Sequence, residues 1–198
     1  MSNTLILASQ SPRRKDLLAQ LGYRFQCLPA DIDESIQAGE SAEQYVARLA
    51  FEKANVIAKC YVEDKNDTGE NVTVLGSDTS VVYQQKILGK PESLEDCHAI
   101  LGMLSGHVHQ VITSVALIQR KRSEIVIVST DVDFKTLSYE EIDRYWQTGE
   151  PQDKAGAYGI QGIGGQFVKK INGSYSAVVG LPLYETSQLL TSFGVTTS

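Results

Sequence analysis

"TLILASQSPRRKDLLAQLG", residues 4–22, changes its character midway. Its first six residues form a mainly apolar run of the length of a buried strand. Ser11 then offers an N-cap, and Pro12 suits the first helical position, where its missing N–H costs nothing. Leu17, Leu18 and Leu21 supply an apolar helical stripe, and Gly22 is a fitting C-terminal stop. A buried strand turning at once into a capped helix is the start of an α/β chain. Arg13 and Arg14 run against this pattern. They occupy the first turn, at the positive end of the helix dipole, where each cation costs roughly 0.3–1 kcal/mol. Either they are solvated on a surface turn, or the helix N–H groups and the two guanidinium forks await a phosphate. Ser9 and Ser11 add hydroxyls to the same loop.

Working outward, "YRFQCLPADIDES" reads as a second strand entering an acidic loop. Ser41 with Gln44 forms a capping box for a long helix through "EQYVARLAFEKANVIAKC". "YVEDKNDTGEN" is polar and turn-rich, a loop. "VTVLGSDTSVVY" is a mainly apolar strand, followed through "QQ" by "KILGKPES" as a hairpin. Ser93 with Asp96 opens a helix ending near Gly106. "HQVITSVALIQR" and "EIVIVSTDVDFKTL" are long β-rich runs around the charged turn "KRS". Ser138 with Glu141 caps "YEEIDRYWQTG", which Gly149 and Pro151 halt. After a glycine-rich loop come "QFVKKI", the turn "NG" and "SYSAVVG", read as a hairpin. Pro182 opens the last helix. Helices and strands interleave, yet short turns join several strands. The expectation is an α/β protein with a mixed sheet, flanking helices and some antiparallel hairpins.

The 198 residues, 42% of them hydrophobic, suffice for the core of one domain, with room for two lobes. No run approaches the roughly 18 apolar residues of a membrane span. The opening residues carry their positive charge on the wrong side for a secretory signal. Three cysteines, odd in number and far apart, suggest neither a disulfide framework nor a zinc site, which fits a reducing cytosol. A net charge of −6 argues against a nucleic acid polymer as partner, while a small anion remains suitable wherever basic residues converge.

Four more positions break local rules. In the long helix Val46, Leu49, Ala50 and Ile57 mark the apolar face, and Lys53 projects from its middle. It either snorkels to the rim or reaches a buried anion. Asp78 lies within the apolar strand "VLGSDTSVV", where Gly76 marks a bulge or a close backbone approach. It either bonds nearby amides or serves as a carboxylate that holds a metal or takes a proton from water. Lys90 precedes Pro91 and is thereby held extended. "DKAGAYGIQGIGG", residues 153–165, has five glycines in ten residues, with Tyr158 and Gln161 placed to read a ligand that approaches the backbone. Together these features describe cations, a carboxylate and a glycine-lined slot with an amide reader. A nucleoside triphosphate and its metal need all three.

The stretches "LASQSPRRKDLL", "AFEKA", "LGSDTSVV", "GKPES", "LSGHVHQVITSVAL", "DKAGAYGIQG" and "INGSYSAVVGLPL" span the chain in order. With them the sequence resembles the Maf family of nucleoside triphosphate pyrophosphatases, most closely the branch acting on dTTP and UTP. The resemblance implies one Maf-like domain: a mixed twisted sheet with flanking helices and two lobes around a central cleft. It implies hydrolysis of a triphosphate to the monophosphate and pyrophosphate, a Mg²⁺ or Mn²⁺ cofactor, a homodimer and a cytoplasmic location. The catalytic aspartate falls on Asp78. Positions tied to base choice fall on Arg13, Thr79 and Gln161. The phosphate-binding residues fall on Arg14, Lys53 and Lys90, with Ser9 in the same loop. Glu34, in "DIDES", falls on an acidic position beside the metal that Asp78 would hold. Modified uridine or cytidine triphosphates are further substrate candidates. The rival readings are the family's 7-methyl-GTP branch and a nucleotide-binding regulator of septum formation.

Overall fold

The structure, a computed structural model, describes residues 3–62 and 71–197. Its element order is β1 (Asn3–Leu7), α1 (Pro12–Gln20), β2 (Phe25–Cys27), α2 (Ala42–Val62), β3 (Asn71–Tyr83) and β4 (Lys86–Leu88). There follow α3 (Leu94–Leu104), β5 (Val108–Gln119), β6 (Arg122–Phe134), α4 (Tyr139–Gln147), β7 (Val168–Asn172), α5 (Tyr175–Val179) and α6 (Leu183–Ser192). The strands pair in the order β2-β1-β3-β5-β6-β7, with β4 also on β3. β1 runs parallel to β2 and β3, whereas β3 with β4 and β6 with β7 are antiparallel. The sheet is mixed, as the interleaved pattern implies.

Local signals account for most boundaries. The Ser11 hydroxyl accepts the Arg14 N–H at 3.4 Å, and Gly22, at φ +78°, ends the turn after α1. Ser41 and Gln44 exchange their capping bonds at 2.9 and 3.2 Å. Ser138 and Glu141 do the same for α4 at 2.9 and 3.3 Å. Gln84 and Gln85, both with positive φ, close the tight turn between β3 and β4.

Other expectations need correcting. The turn between β5 and β6 falls on Arg120 and Lys121 instead of "KRS", with Arg120 at φ 55°. Of the stretch "YVEDKNDTGEN" expected as a loop, Tyr61 and Val62 belong to α2 and Asn71 to β3, and residues 63–70 lie outside those described. "SYSAVVG" is not a second hairpin strand. Thr130 on β6 takes the Ser174 N–H at 3.0 Å, which ties the turn back to β6. The Ser174 hydroxyl then accepts the Ala177 N–H at 3.2 Å and starts the short helix α5. The glycine-rich stretch is a series of 3₁₀ turns, Glu150–Asp153, Ala155–Ala157 and Ile163–Phe167.

The chain packs as two compact units. The first comprises residues 1–78, 113–128 and 180–198, and the second residues 79–112 and 129–179. In the first unit, Ile6, Ala8, Ala54, Val74 and Ile118 form a buried cluster. The second has an aromatic core in which Phe134, Tyr145, Tyr158 and Phe167 meet edge to face.

One contact in the first unit sets the spacing of helix on strand. A Cβ added at Gly76 on β3 would lie 2.1 Å from the Ala50 carbonyl oxygen and 2.8 Å from the Ala54 nitrogen of α2. The glycine therefore marks a close backbone approach. Residues two apart share a strand face, so Asp78 lies on the side that faces α2. Replacing Gly76 by Ala must push the helix away, at the cost typical of overpacking, about 1–3 kcal/mol. Urea denaturation of Gly76→Ala will show a lower midpoint, and an unchanged midpoint would mean that the two backbones are not in contact.

Candidate active site

The close seat of α2 on β3 brings Lys53 to Asp78. Lys53 is 8% exposed and Asp78 7%, and the ammonium lies 2.8 Å from Asp78 Oδ1. The same Nζ is 2.6 Å from Glu34 Oε1. Of the two readings for Lys53, the buried anion is the one realised. A lysine in an apolar stripe is tolerable here because two carboxylates face it. Removing one partner of such a buried pair typically costs about 3–5 kcal/mol.

Arg14 completes the group. Half-buried, it donates from Nε to the Gly180 carbonyl at 2.9 Å, and the Ser77 hydroxyl donates to the same oxygen at 3.1 Å. Gly180 sits at φ +130°, a conformation suited to glycine. Burial lowers the affinity of Arg14 for its proton; Asp78 and Glu34 oppose this, while Arg13 adds to it. Burial likewise raises the Asp78 pKa above the ordinary carboxylate value, against the opposing pull of Lys53 and Arg14. Asp78 is thus a carboxylate that resists ionisation yet faces cations, the condition that tunes an acid group towards proton transfer. Arg13 is half-buried in the first turn of α1. The Ser9 hydroxyl accepts the Ser11 N–H at 3.1 Å, which leaves its own proton to donate elsewhere.

Glu34 is held from outside the cluster by two residues that sequence reasoning missed. Tyr45 donates its hydroxyl to the Glu34 carbonyl at 2.8 Å. Arg48 grips Glu40 with two donors, at 2.7 and 2.8 Å, and reaches the Ser35 carbonyl at 3.0 Å. Burial, together with Asp78 and Glu34, pushes the Tyr45 pKa up to about 12, so the phenol remains a donor. The signal was the spacing of Tyr45, Arg48 and Glu52, one helix face at i, i+3 and i+7. It looks the same on any solvated helix.

Lys90 and Gln161 lie in the second unit, both exposed. Thr79, next to Asp78 on β3, is half-buried. Within that unit the Gly156 N–H donates to the Gly89 carbonyl at 2.9 Å, which sets the segment before Lys90 beside the glycine-rich loop. Tyr158 is no ligand reader. It is 5% exposed, and its hydroxyl meets His109 Nε2 at 2.9 Å inside the aromatic core. Much of the glycine content also has an internal cause. A Cβ at Gly156 would meet Val81 at 2.7 Å, and one at Gly162 would meet the Glu150 carboxylate at 2.2 Å.

Among the described residues, no three His, Cys, Asp or Glu side chains gather as a ready-made metal cage. Asp78 and Glu34 both touch one ammonium, and this hard-oxygen pair fits an ion that completes its shell with water and substrate phosphate, as Mg²⁺ commonly does. No described helix is long and apolar enough to cross a membrane.

Fold and cluster together define a mixed-sheet α/β protein with a buried Lys53–Asp78 ion pair. The chain belongs to the family described as Maf-like protein, whose model matches residues 4–193. It is similar to proteins named dTTP/UTP pyrophosphatase. The one from Colwellia psychrerythraea is 57% identical over 195 residues, covering 98% of this chain and 90% of the relative. That from Pseudoalteromonas atlantica is 55% identical, covering 94% of this chain and 95% of the relative. That from Vibrio parahaemolyticus is 53% identical, covering 97% and 98%.

Because Lys53 lowers the Asp78 pKa, Lys53→Met must raise it further. A raised carboxylate pKa opposes folding only where the group has to ionise. The variant will therefore lose more stability at neutral pH than below the ordinary carboxylate value. Denaturation at acid and neutral pH checks this, and an equal loss at both would separate Lys53 from the charge of Asp78.

Proposed function

We propose that this chain hydrolyses dTTP and UTP to the monophosphate and pyrophosphate, with Asp78 as proton acceptor. The observation that carries the reading is the buried Lys53–Asp78 pair, with Lys53 Nζ at 2.8 Å from Asp78 and 2.6 Å from the exposed Glu34, in a member of the Maf-like family. The names of the relatives, all above 50% identity, supply the substrate.

A water molecule attacks the α-phosphorus while Asp78 takes its proton. The bond from the α-phosphorus to the bridging oxygen breaks, and pyrophosphate leaves with the electron pair. Negative charge grows on the α-phosphate oxygens and on the leaving group, where fixed cations are worth most. Arg14 offers a planar fork to those oxygens, and Lys53 and Lys90 act as point charges on the phosphate chain. Ser9 donates a hydroxyl to the same phosphates. A Mg²⁺ or Mn²⁺ ion held by Asp78 and Glu34 supplies further charge neutralisation when bound. Lys53 is the counter-ion of this carboxylate pair, and its ammonium would be available to phosphate if a metal ion neutralised the pair in its place.

Arg13, Thr79 and Gln161 are assigned to base choice. Gln161 can both accept and donate, which suits the adjacent N3–H and O4 of uracil and thymine. A mismatched edge leaves a buried polar group unpaired, at about 1–3 kcal/mol. A canonical or modified pyrimidine triphosphate is thereby preferred over 7-methyl-GTP. We place the protein in the cytoplasm as a homodimer that clears nucleotides. Its three free cysteines, two of them exposed, suit a reducing compartment.

Pyrophosphate release from UTP, dTTP, CTP and 7-methyl-GTP, with and without Mg²⁺ or Mn²⁺, tests the assignment. UTP and dTTP will lead and will need the metal. Asp78→Asn will lower turnover by about 10²–10⁴-fold, the usual share of a general base. Tight triphosphate binding with no release of pyrophosphate would favour the regulator instead.

A further inference from the structure

Glu150 is a charged group that the reaction does not use, yet it is the best-connected carboxylate of the second unit. Its Oε1 accepts the Tyr145 hydroxyl at 2.8 Å and the Gly164 N–H at 3.0 Å, and its Oε2 accepts the Ile163 N–H at 2.8 Å. Tyr145, 2% exposed, accepts the Gly159 N–H on that same hydroxyl at 3.1 Å. One carboxylate and one phenol therefore grip both limbs of the turn that carries Gln161, from residue 159 on one side to residues 163 and 164 on the other. The glycines admit the grip. A Cβ at Gly162 would collide with the Glu150 carboxylate, and one at Gly164 would lie 2.5 Å from the Tyr145 hydroxyl. Burial pulls the Glu150 pKa up, but the two N–H groups, Tyr145 and Lys154 outweigh it and hold the group below the ordinary carboxylate value. The clamp is ionised at neutral pH.

The grip matters because of what an amide is. Its oxygen and NH₂ group can be presented in either order by a half-turn, so a loosely held glutamine reads a uracil edge and a cytosine edge alike. Discrimination has to come from a backbone that fixes where the amide sits, and from other contacts to the base.

We propose that Glu150, with Tyr145, is a positioning residue for base selection: its carboxylate clamps the residue 159–164 turn and so fixes where the Gln161 amide sits against the base. The inference rests on Gln161 being the base reader. Glu150→Gln keeps the size of the side chain but replaces one accepting oxygen by a donor, so at least one of the three bonds is lost. Its effect is to relax the ranking of substrates. The ratio of kcat/KM for UTP over CTP will fall about tenfold, the size of one lost base-edge hydrogen bond, chiefly through KM for UTP. Tyr145→Phe, which removes the hydroxyl from Gly159, will act in the same direction and serves if Glu150→Gln fails to fold. In the double variant Glu150→Gln/Gln161→Ala the two effects will not add, because both act through one side chain.

The measurement is the UTP-to-CTP ratio for the parent, Gln161→Ala, Glu150→Gln, Tyr145→Phe and the double variant, each with its thermal midpoint. A ratio lowered by both clamp variants, and no further in the double variant, supports the clamp. A ratio lowered by Gln161→Ala but untouched by Glu150→Gln and Tyr145→Phe overturns it and leaves the base-reader assignment standing. A ratio indifferent to Gln161→Ala overturns both. A fall in thermal midpoint with an unchanged ratio makes Glu150 merely structural and overturns the proposal as well.

Discussion

The cost of burying the Asp78 carboxylate is offset chiefly by Lys53. Taking a carboxylate out of water costs several kcal/mol, and the attraction of an ammonium at hydrogen-bond distance returns enough of it only when the geometry is good. The first unit is organised around meeting that condition. Gly76 has no side chain, so α2 can settle onto β3; α2 then presents Lys53 at the level of Asp78. Glu34 answers the remaining charge on the lysine from a loop that Tyr45 and Arg48 fasten to the same helix. Arg14 is anchored on the Gly180 carbonyl, an acceptor it shares with Ser77, the neighbour of Asp78. Each part is unremarkable singly. The combination is a small volume in which Lys53 and Asp78 are buried against each other, with Arg14 half-buried near them and the exposed Glu34 closing the group from the solvent side.

The second unit solves a different problem. A glycine-rich segment loses much entropy on ordering. Here internal bonds restrain it: Glu150 and Tyr145 around one turn, Tyr158 against His109, and Gly156 against Gly89. Several of the glycines are explained by these contacts. They make room for the protein's own carboxylate and phenol, and the loop gains definition from the absence of their side chains.

What was legible in the sequence was whatever local periodicity controls. The direction of Lys53 follows from the helical period of Val46, Leu49 and Ala50, and Asp78 stands out because a lone carboxylate interrupts an apolar strand. Caps at Ser11, Ser41, Ser93 and Ser138 are satisfied within four residues, so they too could be read directly. The sequence was opaque where a bond spans the chain. Nothing near Arg14 announces a carbonyl at residue 180, and the face of α2 that carries Tyr45 and Arg48 looks like ordinary solvated helix. Asn172 and Gly173 form a good hairpin turn on local grounds; Thr130, more than forty positions earlier, takes the Ser174 N–H, and the chain enters α5 instead. Tyr158 was misjudged for the same reason, since its partner His109 is equally remote in sequence.

The most direct test of the central idea is a crystal structure of Asp78→Asn soaked with Mg²⁺ and a UTP analogue carrying an imido link between the α- and β-phosphates. The account requires the α-phosphate to lie beside residue 78, with Lys53 and Arg14 on its oxygens. A triphosphate bound elsewhere, with Lys53 still bridging residue 78 and Glu34, would contradict it.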